Sequence, residues 1–214
     1  MMNARPFRRT HAPLTLVVAA IVAGLLVGGC ALSRSAPAKR TFLVEAVPPA
    51  VAVTTHPATL RLGAMNVAAP FRGKAFVHRM ADLRFDADYY NEFLVAPAAM
   101  LGEGTARALD RARVFARVVP PGAPPDGEFV LDGFVNALYV DLRDAGKPAA
   151  EISVTYYLSR ADAATPLPFW SREYGRRVPA TGMTPDAYAA AMSAAFSGIV
   201  AELARDVAAA QLPK

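Results

Sequence analysis

The chain of 214 residues holds one cysteine, one tryptophan and three histidines. A lone cysteine excludes an internal disulfide, a Cys-X-X-Cys redox pair and a zinc site built from several thiolates. Charge is scarce too, at 19% of residues, while 54% are hydrophobic. That balance excludes a wholly disordered chain, and the length suits one domain with appendages. No acidic residue precedes Glu45, and residues 12–33 carry no charge at all.

Motifs of catalysis are missing as well. There is no G-x-S-x-G elbow, no P-loop Gly-Lys-Ser/Thr and no HExxH. His56 and His78 stand alone, without acids at ligand spacing, so no metal is expected. Gly102-Glu-Gly104 is a bare G-x-G, and Asp86 and Asp88 read as turn or cap residues. The expectation is a protein that is not an enzyme and uses no cofactor.

What is present begins at the N-terminus. Arg5, Arg8 and Arg9 form a basic patch, Leu14–Val27 is apolar apart from Thr15 and Gly24, and Gly28 and Gly29 precede Cys30. A basic region, an apolar run and small residues make a secretory signal. Val27-Gly28-Gly29-Cys30 further resembles a bacterial lipobox, in which the signal is cut before a cysteine that receives lipid. The resemblance implies a signal over residues 1–29, recognition by the peptidase at Val27, Gly28 and Gly29, and lipidation of Cys30. Two or three acyl chains, at about 0.8 kcal/mol per buried methylene, anchor stably where one does not. The alternative is an uncleaved transmembrane anchor over residues 12–33, long enough at about 20 residues to span a bilayer.

Loss of residues 1–29 removes three arginines and no acids, leaving 20 basic and 18 acidic residues. The net charge of +5 and pI near 9.6 therefore belong largely to the export signal. No dense Lys/Arg run remains, and nucleic acid is not an expected partner. Residues 30–40 (CALSRSAPAKR) read as a lipidated terminus and tether. The absence of Asp after Cys30 implies, for bacterial lipoproteins, the outer membrane facing the periplasm.

Residues 41–214 read as a single α+β domain, a mainly antiparallel β-sheet with two principal helices packed on it. Strands are expected at Thr41–Ala46, Thr59–Val67, Ala75–Met80 with Asp82–Phe85 as a hairpin, Arg113–Val119, Phe129–Leu142, Glu151–Arg160 and Leu167–Val178. The strand from Phe129 is apolar on both faces, which places it centrally, with Gly133 as a candidate bulge. Ile152, Val154, Tyr156 and Leu158 alternate with polar residues. One helix is expected over Pro97–Arg113, weakened by Gly102 and Gly104 at about 1 kcal/mol each and so dependent on packing. A stronger one starts from Thr184 as N-cap and Pro185 at N1, with Tyr188, Met192, Phe196, Ile199, Leu203 and Val207 along one face. Its outer face is mostly Ala and Ser, which suggests cover by a neighbouring subunit, a homo-oligomer.

Val77-His78-Arg79, the Tyr-rich Asp88-Tyr89-Tyr90-Asn91-Glu92-Phe93, the helix from Pro97 and Val130-Leu131-Asp132-Gly133 together resemble the auxiliary lipoprotein component of bacterial ABC-type transport systems, the paraquat-inducible protein C-like group. The family often has Trp shortly before the Pro, and this segment has none. The resemblance implies a non-catalytic envelope subunit of a lipid or hydrophobic-solute transport system that contains mammalian-cell-entry (MCE) proteins. An MCE-domain protein would be its partner, and the membrane would be reached through the lipid anchor. A lipoprotein that activates or scaffolds envelope enzymes, and a lipid-anchored hydrolase, are the competing readings. Phe76, His78, Arg79, Tyr89 and Tyr90 are the candidate partner interface, since aromatics and Arg are enriched at contacts. For Phe76 and the two tyrosines, packing of the core is the equal alternative.

Overall fold

The computed structural model describes residues 38–47, 55–123, 127–144, 146–162 and 167–213. The signal, the lipobox residues Val27, Gly28, Gly29 and Cys30, and residues 31–37 of the tether lie outside the described residues. One compact unit runs from Lys39 to Lys214.

Among the described residues, eight strands and two α-helices make an α+β fold. The strands are β1 (Arg40–Phe42), β2 (His56–Val67), β3 (Ala75–Ala81), β4 (Arg84–Phe93), β5 (Phe115–Val119), β6 (Phe129–Asp141), β7 (Ala149–Arg160) and β8 (Trp170–Pro179). The helices are α1 (Pro97–Arg111) and α2 (Pro185–Ala209). As its two-sided apolar pattern predicts, β6 is central. It pairs antiparallel with β7 along its whole length, from Phe129↔Arg160 to Asp141↔Ala149. On its other side two strands lie end to end, both parallel to it: β2 along the first half and the tip of β3 at Val140 and Asp141. The chain passes from one to the other through a 3₁₀ turn at Ala69–Phe71.

The sheet is mixed. The two longest ladders, β6–β7 and β7–β8, are antiparallel, as is β3–β4, while β1–β4, β2–β5, β2–β6 and β3–β6 are parallel. Sequence patterning finds strands but not their directions, because alternation looks the same either way.

The helices pack on one face, α1 over β2 and β5, α2 over β7 and β8. Beneath them lie Leu60, Leu131, Leu138, Ile152, Val154, Tyr156 and Leu158, all shut off from solvent. The Tyr156 hydroxyl is satisfied there, donating to Thr105 Oγ1 at 2.9 Å, since that hydroxyl already donates to the Leu101 carbonyl. Burial pushes the Tyr156 phenol well above its ordinary value. Gly104 earns its place by proximity: a Cβ there would sit 2.7 Å from the Phe196 ring, so the glycine that weakens α1 lets α2 approach. Thr184 caps α2 as expected, accepting from the Ala187 amide at 3.2 Å.

Several expected bounds differ: the second arm of the hairpin, expected over Asp82–Phe85, runs over Arg84–Phe93, and two further boundaries and one bulge differ for a physical reason. β1 ends at Phe42 because the following amides turn to the helices: Glu45 N–H donates to Ser193 Oγ (3.2 Å) and Val47 N–H to Ser197 Oγ (2.8 Å). Residues 43–47 thus cover part of the small-residue face of α2 that was expected to seat another subunit. α1 stops at Arg111 because Arg113 takes a left-handed conformation (φ 54°), with Val114 N–H bonded back to the Leu109 carbonyl. The bulge expected at Gly133 lies across from it, in β2, where Gly63 and Ala64 together oppose the single Asp132 of β6. Asp132 Oδ1 accepts from the bulged Ala64 amide at 2.7 Å, and a Cβ on Gly63 would collide with that carboxylate. Gly133 in turn leaves room for Met65, whose sulfur would lie 2.6 Å from a Cβ there. The Val-Leu-Asp-Gly run is therefore the counterpart of a bulge.

Candidate functional site: the hairpin edge

Strand alternation divides the expected interface residues. Phe76 and His78 point to the helix side of β3, and Arg79 points to the opposite face. Phe76 is 0% exposed and packs against Phe42 (5.2 Å between centroids) and Phe93 (4.7 Å). It is a core side chain, which decides for Phe76 between the interface and core readings left open by its sequence. Arg79 is largely buried among Phe85 and Tyr139, its guanidinium 5.6 and 5.9 Å from their rings, and it donates to the Asp82 carbonyl at 3.1 Å. His78 lies edge-on to Tyr188 of α2 at 5.8 Å. The five residues do not form one patch.

The tyrosines are displayed by a large irregularity. Ala75 pairs with Glu92 but Val77 with Ala87, so two steps along β3 match five along β4. Asp88 organises the surplus residues. Its Oδ1 accepts from the Tyr90 and Asn91 amides (2.8 and 3.0 Å), and its Oδ2 accepts from Asn91 Nδ2 (2.8 Å). Burial works to raise the Asp88 pKa, but these bonds outweigh it and hold the carboxyl below its usual range. His78 shows the opposite balance: burial lowers it, against the pull of Asp88 and Asp86. Its Nε2 stands 3.9 Å from Asp88 Oδ2, beyond a hydrogen bond.

Tyr89 is 73% exposed and Tyr90 41%, their rings edge to face at 5.0 Å and 86°. Lys39, where the compact unit starts, places its Nζ 5.2 Å from the Tyr89 ring and 3.3 Å from Glu92. Leu83 at the hairpin tip is 97% exposed, and Phe85, Leu94 and Val95 are exposed too. Six large apolar side chains thus reach solvent within Leu83–Val95, with Leu43 a seventh beside them across the β1–β4 seam. β1 pairs only with Asn91–Phe93, so among the described residues no strand pairs with Arg84–Tyr90 on the side away from β3.

Elsewhere the polar groups serve structure. Asp141, buried at the end of β6, accepts from Arg143 Nε (3.0 Å) and Nη2 (2.9 Å) and from Arg177 (2.6 Å), while Arg143 also reaches Asp82. The Arg143 guanidinium holds the Asp141 carboxyl far below the usual range. His56 donates to the Val207 carbonyl at 2.9 Å. Among the described residues no group of three His, Cys, Asp or Glu is placed to hold a metal. A shallow groove of about 170 Å³ lies between Glu45, Ala46 and the Gly104–Arg111 side of α1, below the ordinary ligand-site range of about 300–1,000 Å³.

The fold has solved counterparts. A protein of the DUF330 family from Xanthomonas campestris matches with a TM-score of 0.68 at 16% identity, over 77% of this chain and 92% of its own. An uncharacterized protein matches at 0.56 and 12% identity, over 74% of this chain and 99% of its own. A hypothetical protein from Chlamydia trachomatis follows at 0.48 and 12%, covering 72% and 99%. No protein-family model matches the chain, and no curated protein sequence does either. For the first two, at these identities, the likeness is one of fold alone.

Proposed function

We propose that this chain is a bacterial envelope lipoprotein, lipidated on Cys30 after cleavage behind Gly29. It acts as a non-catalytic auxiliary subunit of an ABC-type/MCE system that moves lipid or a hydrophobic solute between membranes. The observation that carries this reading is the position of the sole cysteine. It follows a basic, apolar and small-residue export signal and stands nine residues ahead of the compact unit that begins at Lys39. The fold shared with the DUF330 protein is compatible with it. The domain holds its partner at the outer membrane, facing the periplasm, and needs no cofactor beyond its covalent lipid. Tyr89 and Tyr90 are the contact residues that remain, because Phe76 is buried and His78 and Arg79 are largely enclosed.

Affinity purification of the lipidated chain from its native envelope tests the role. Enrichment of an MCE-domain protein with a permease and ATPase is expected. Enrichment of an envelope hydrolase or synthase instead would replace this reading by the scaffolding one. Cys30→Ala is expected to abolish labelling by radioactive palmitate and leave the precursor uncut.

A further inference from the structure

The exposed apolar side chains of this domain are unevenly placed. Leu83, Phe85, Tyr89, Tyr90, Leu94 and Val95 crowd one hairpin edge, a density that marks a contact surface. Its composition suits a particular medium. Tyrosines carry an apolar ring and a polar hydroxyl, which is why they gather where hydrocarbon meets water. Tyr89 and Tyr90 are held out by the Asp88 turn and braced against each other, so presenting them costs little side-chain entropy on contact. Lys39 lies over the Tyr89 ring, where its ammonium also pairs with Glu92 at 3.3 Å, and so sets a charged group at the same level.

Chain length joins this edge to the membrane. From Cys30 to Lys39 there are nine residue steps, which span about 30 Å at most when fully extended. Lys39 reaches the Tyr89 ring with its side chain, so the anchored cysteine lies within about 40 Å of the tyrosines whatever path the tether takes. The far edge of the sheet, β8, differs in kind: the strand carries Arg172, Arg176 and Arg177, paired with Asp206, Glu202 and Asp141, and Leu167 and Phe169 are the exposed apolar groups where the chain enters it.

We propose that the β3–β4 hairpin edge, through Tyr89, Tyr90 and Leu83 with Lys39 beside them, rests on the lipid surface into which the chain is anchored. The domain thereby takes a fixed orientation, with the β8 edge turned away from the bilayer. This rests on the lipidation of Cys30 proposed above.

The test uses the full chain made in a lipoprotein-processing bacterium, with lipid on Cys30 verified by mass spectrometry. It is reconstituted into phosphatidylethanolamine–phosphatidylglycerol vesicles. Because Cys30 is the only native cysteine and its thiol carries the lipid, a new cysteine is the single labelling site. Tyr89→Cys and, on the far edge, Ser171→Cys each receive an environment-sensitive fluorophore, with brominated lipids as quenchers. The label at 89 is expected to shift to the blue and be quenched several-fold more than the label at 171. Equal quenching overturns the proposal. So does shielding at 89 that fades as protein is diluted in excess lipid, which would assign the edge to a second copy. Hydroxyl-radical footprinting of the unmodified chain guards against a labelled variant that folds poorly. Oxidation of Tyr89 and Tyr90 is expected to fall several-fold on adding vesicles, and unchanged oxidation counts against the proposal. Absence of lipid on Cys30 in the mass spectrum would be a failure of the anchoring reading, visible before any fluorescence is read.

Discussion

The β6–β7–α2 block and the β3–β4 hairpin belong to one sheet yet follow different rules. In the block every second side chain of β7 from Ile152 to Leu158 is sealed under the helices, and its buried Tyr156 hydroxyl is satisfied by Thr105 of α1. In the hairpin the register breaks twice, and large apolar side chains face solvent. The three buried polar atoms that lack a hydrogen-bond partner among the described residues, His78 Nε2, Arg79 Nε and Asn91 Oδ1, all lie there. Natural proteins depart from local rules chiefly at working surfaces, and stability is spent unevenly for that reason. The contrast assigns the fold's stability to one region and its contacts to the other.

The largest expected effect breaks the stable side. Phe196 is fully buried between Gly104 of α1 and the sheet, so Phe196→Ala is expected to cost about 4 kcal/mol in denaturant unfolding. A cost below about 1 kcal/mol would mean that α2 is not the centre of the core.

Asp141→Asn comes next. It removes a charge that two arginines share, at an expected cost of about 2 kcal/mol, limited because both guanidiniums are partly in water. The sign with pH follows from the depressed folded pKa. The contribution is present above the unfolded aspartate value of about 4 and is lost as pH falls from there through the lower folded value. The variant should therefore lose stability at neutral pH and show a flatter acid limb. An unchanged acid limb would place the acid sensitivity elsewhere.

A smaller, opposite test concerns His78, where the hairpin meets α2. Burial lowers its pKa, so the folded state prefers it neutral, and protonation of the unfolded chain drains stability as pH falls below about 6.5. Asp88 and Asp86 soften this by favouring the cation, and Tyr188 packs on its ring. His78→Leu, which also removes an unpartnered nitrogen, should lose the decline between about pH 6.5 and 5 while keeping its stability at pH 7.5. Parallel pH profiles for the two proteins would remove His78 as the source.

How far the sequence foretold this contrast depends on whether the deciding interaction is local. Thr184, Pro185 and the three-to-four spacing from Tyr188 to Val207 specify α2 within its own segment, and the helix runs as read. The two-sided apolar run from Phe129 likewise marks the central strand. What sequence reading misses is settled between segments far apart. The Gly63–Ala64 bulge needs Asp132, β1 ends early because Ser193 and Ser197 compete for its amides, and the parallel pairing of β2 with β6 is written in neither strand. The site was half legible. Asp88 and Asn91 at a three-residue spacing are a local turn signal, but it was β4's irregular pairing with β3 that sent Phe76 inward and Tyr89 outward.

The smallest expected effect separates display from support most cleanly. Tyr89 touches little besides Tyr90 and Lys39, so Tyr89→Ala should shift unfolding by no more than about 0.5 kcal/mol. Asp88 holds the turn through three hydrogen bonds to its charged form, and its removal would disturb the whole bulge. A Tyr89→Ala variant as unstable as a core truncation would make the ring structural and dissolve the distinction between the two regions. A variant with unchanged thermal unfolding and weakened membrane contact would show that the ring is kept on the surface for what it meets there. The sheet does not need it to fold.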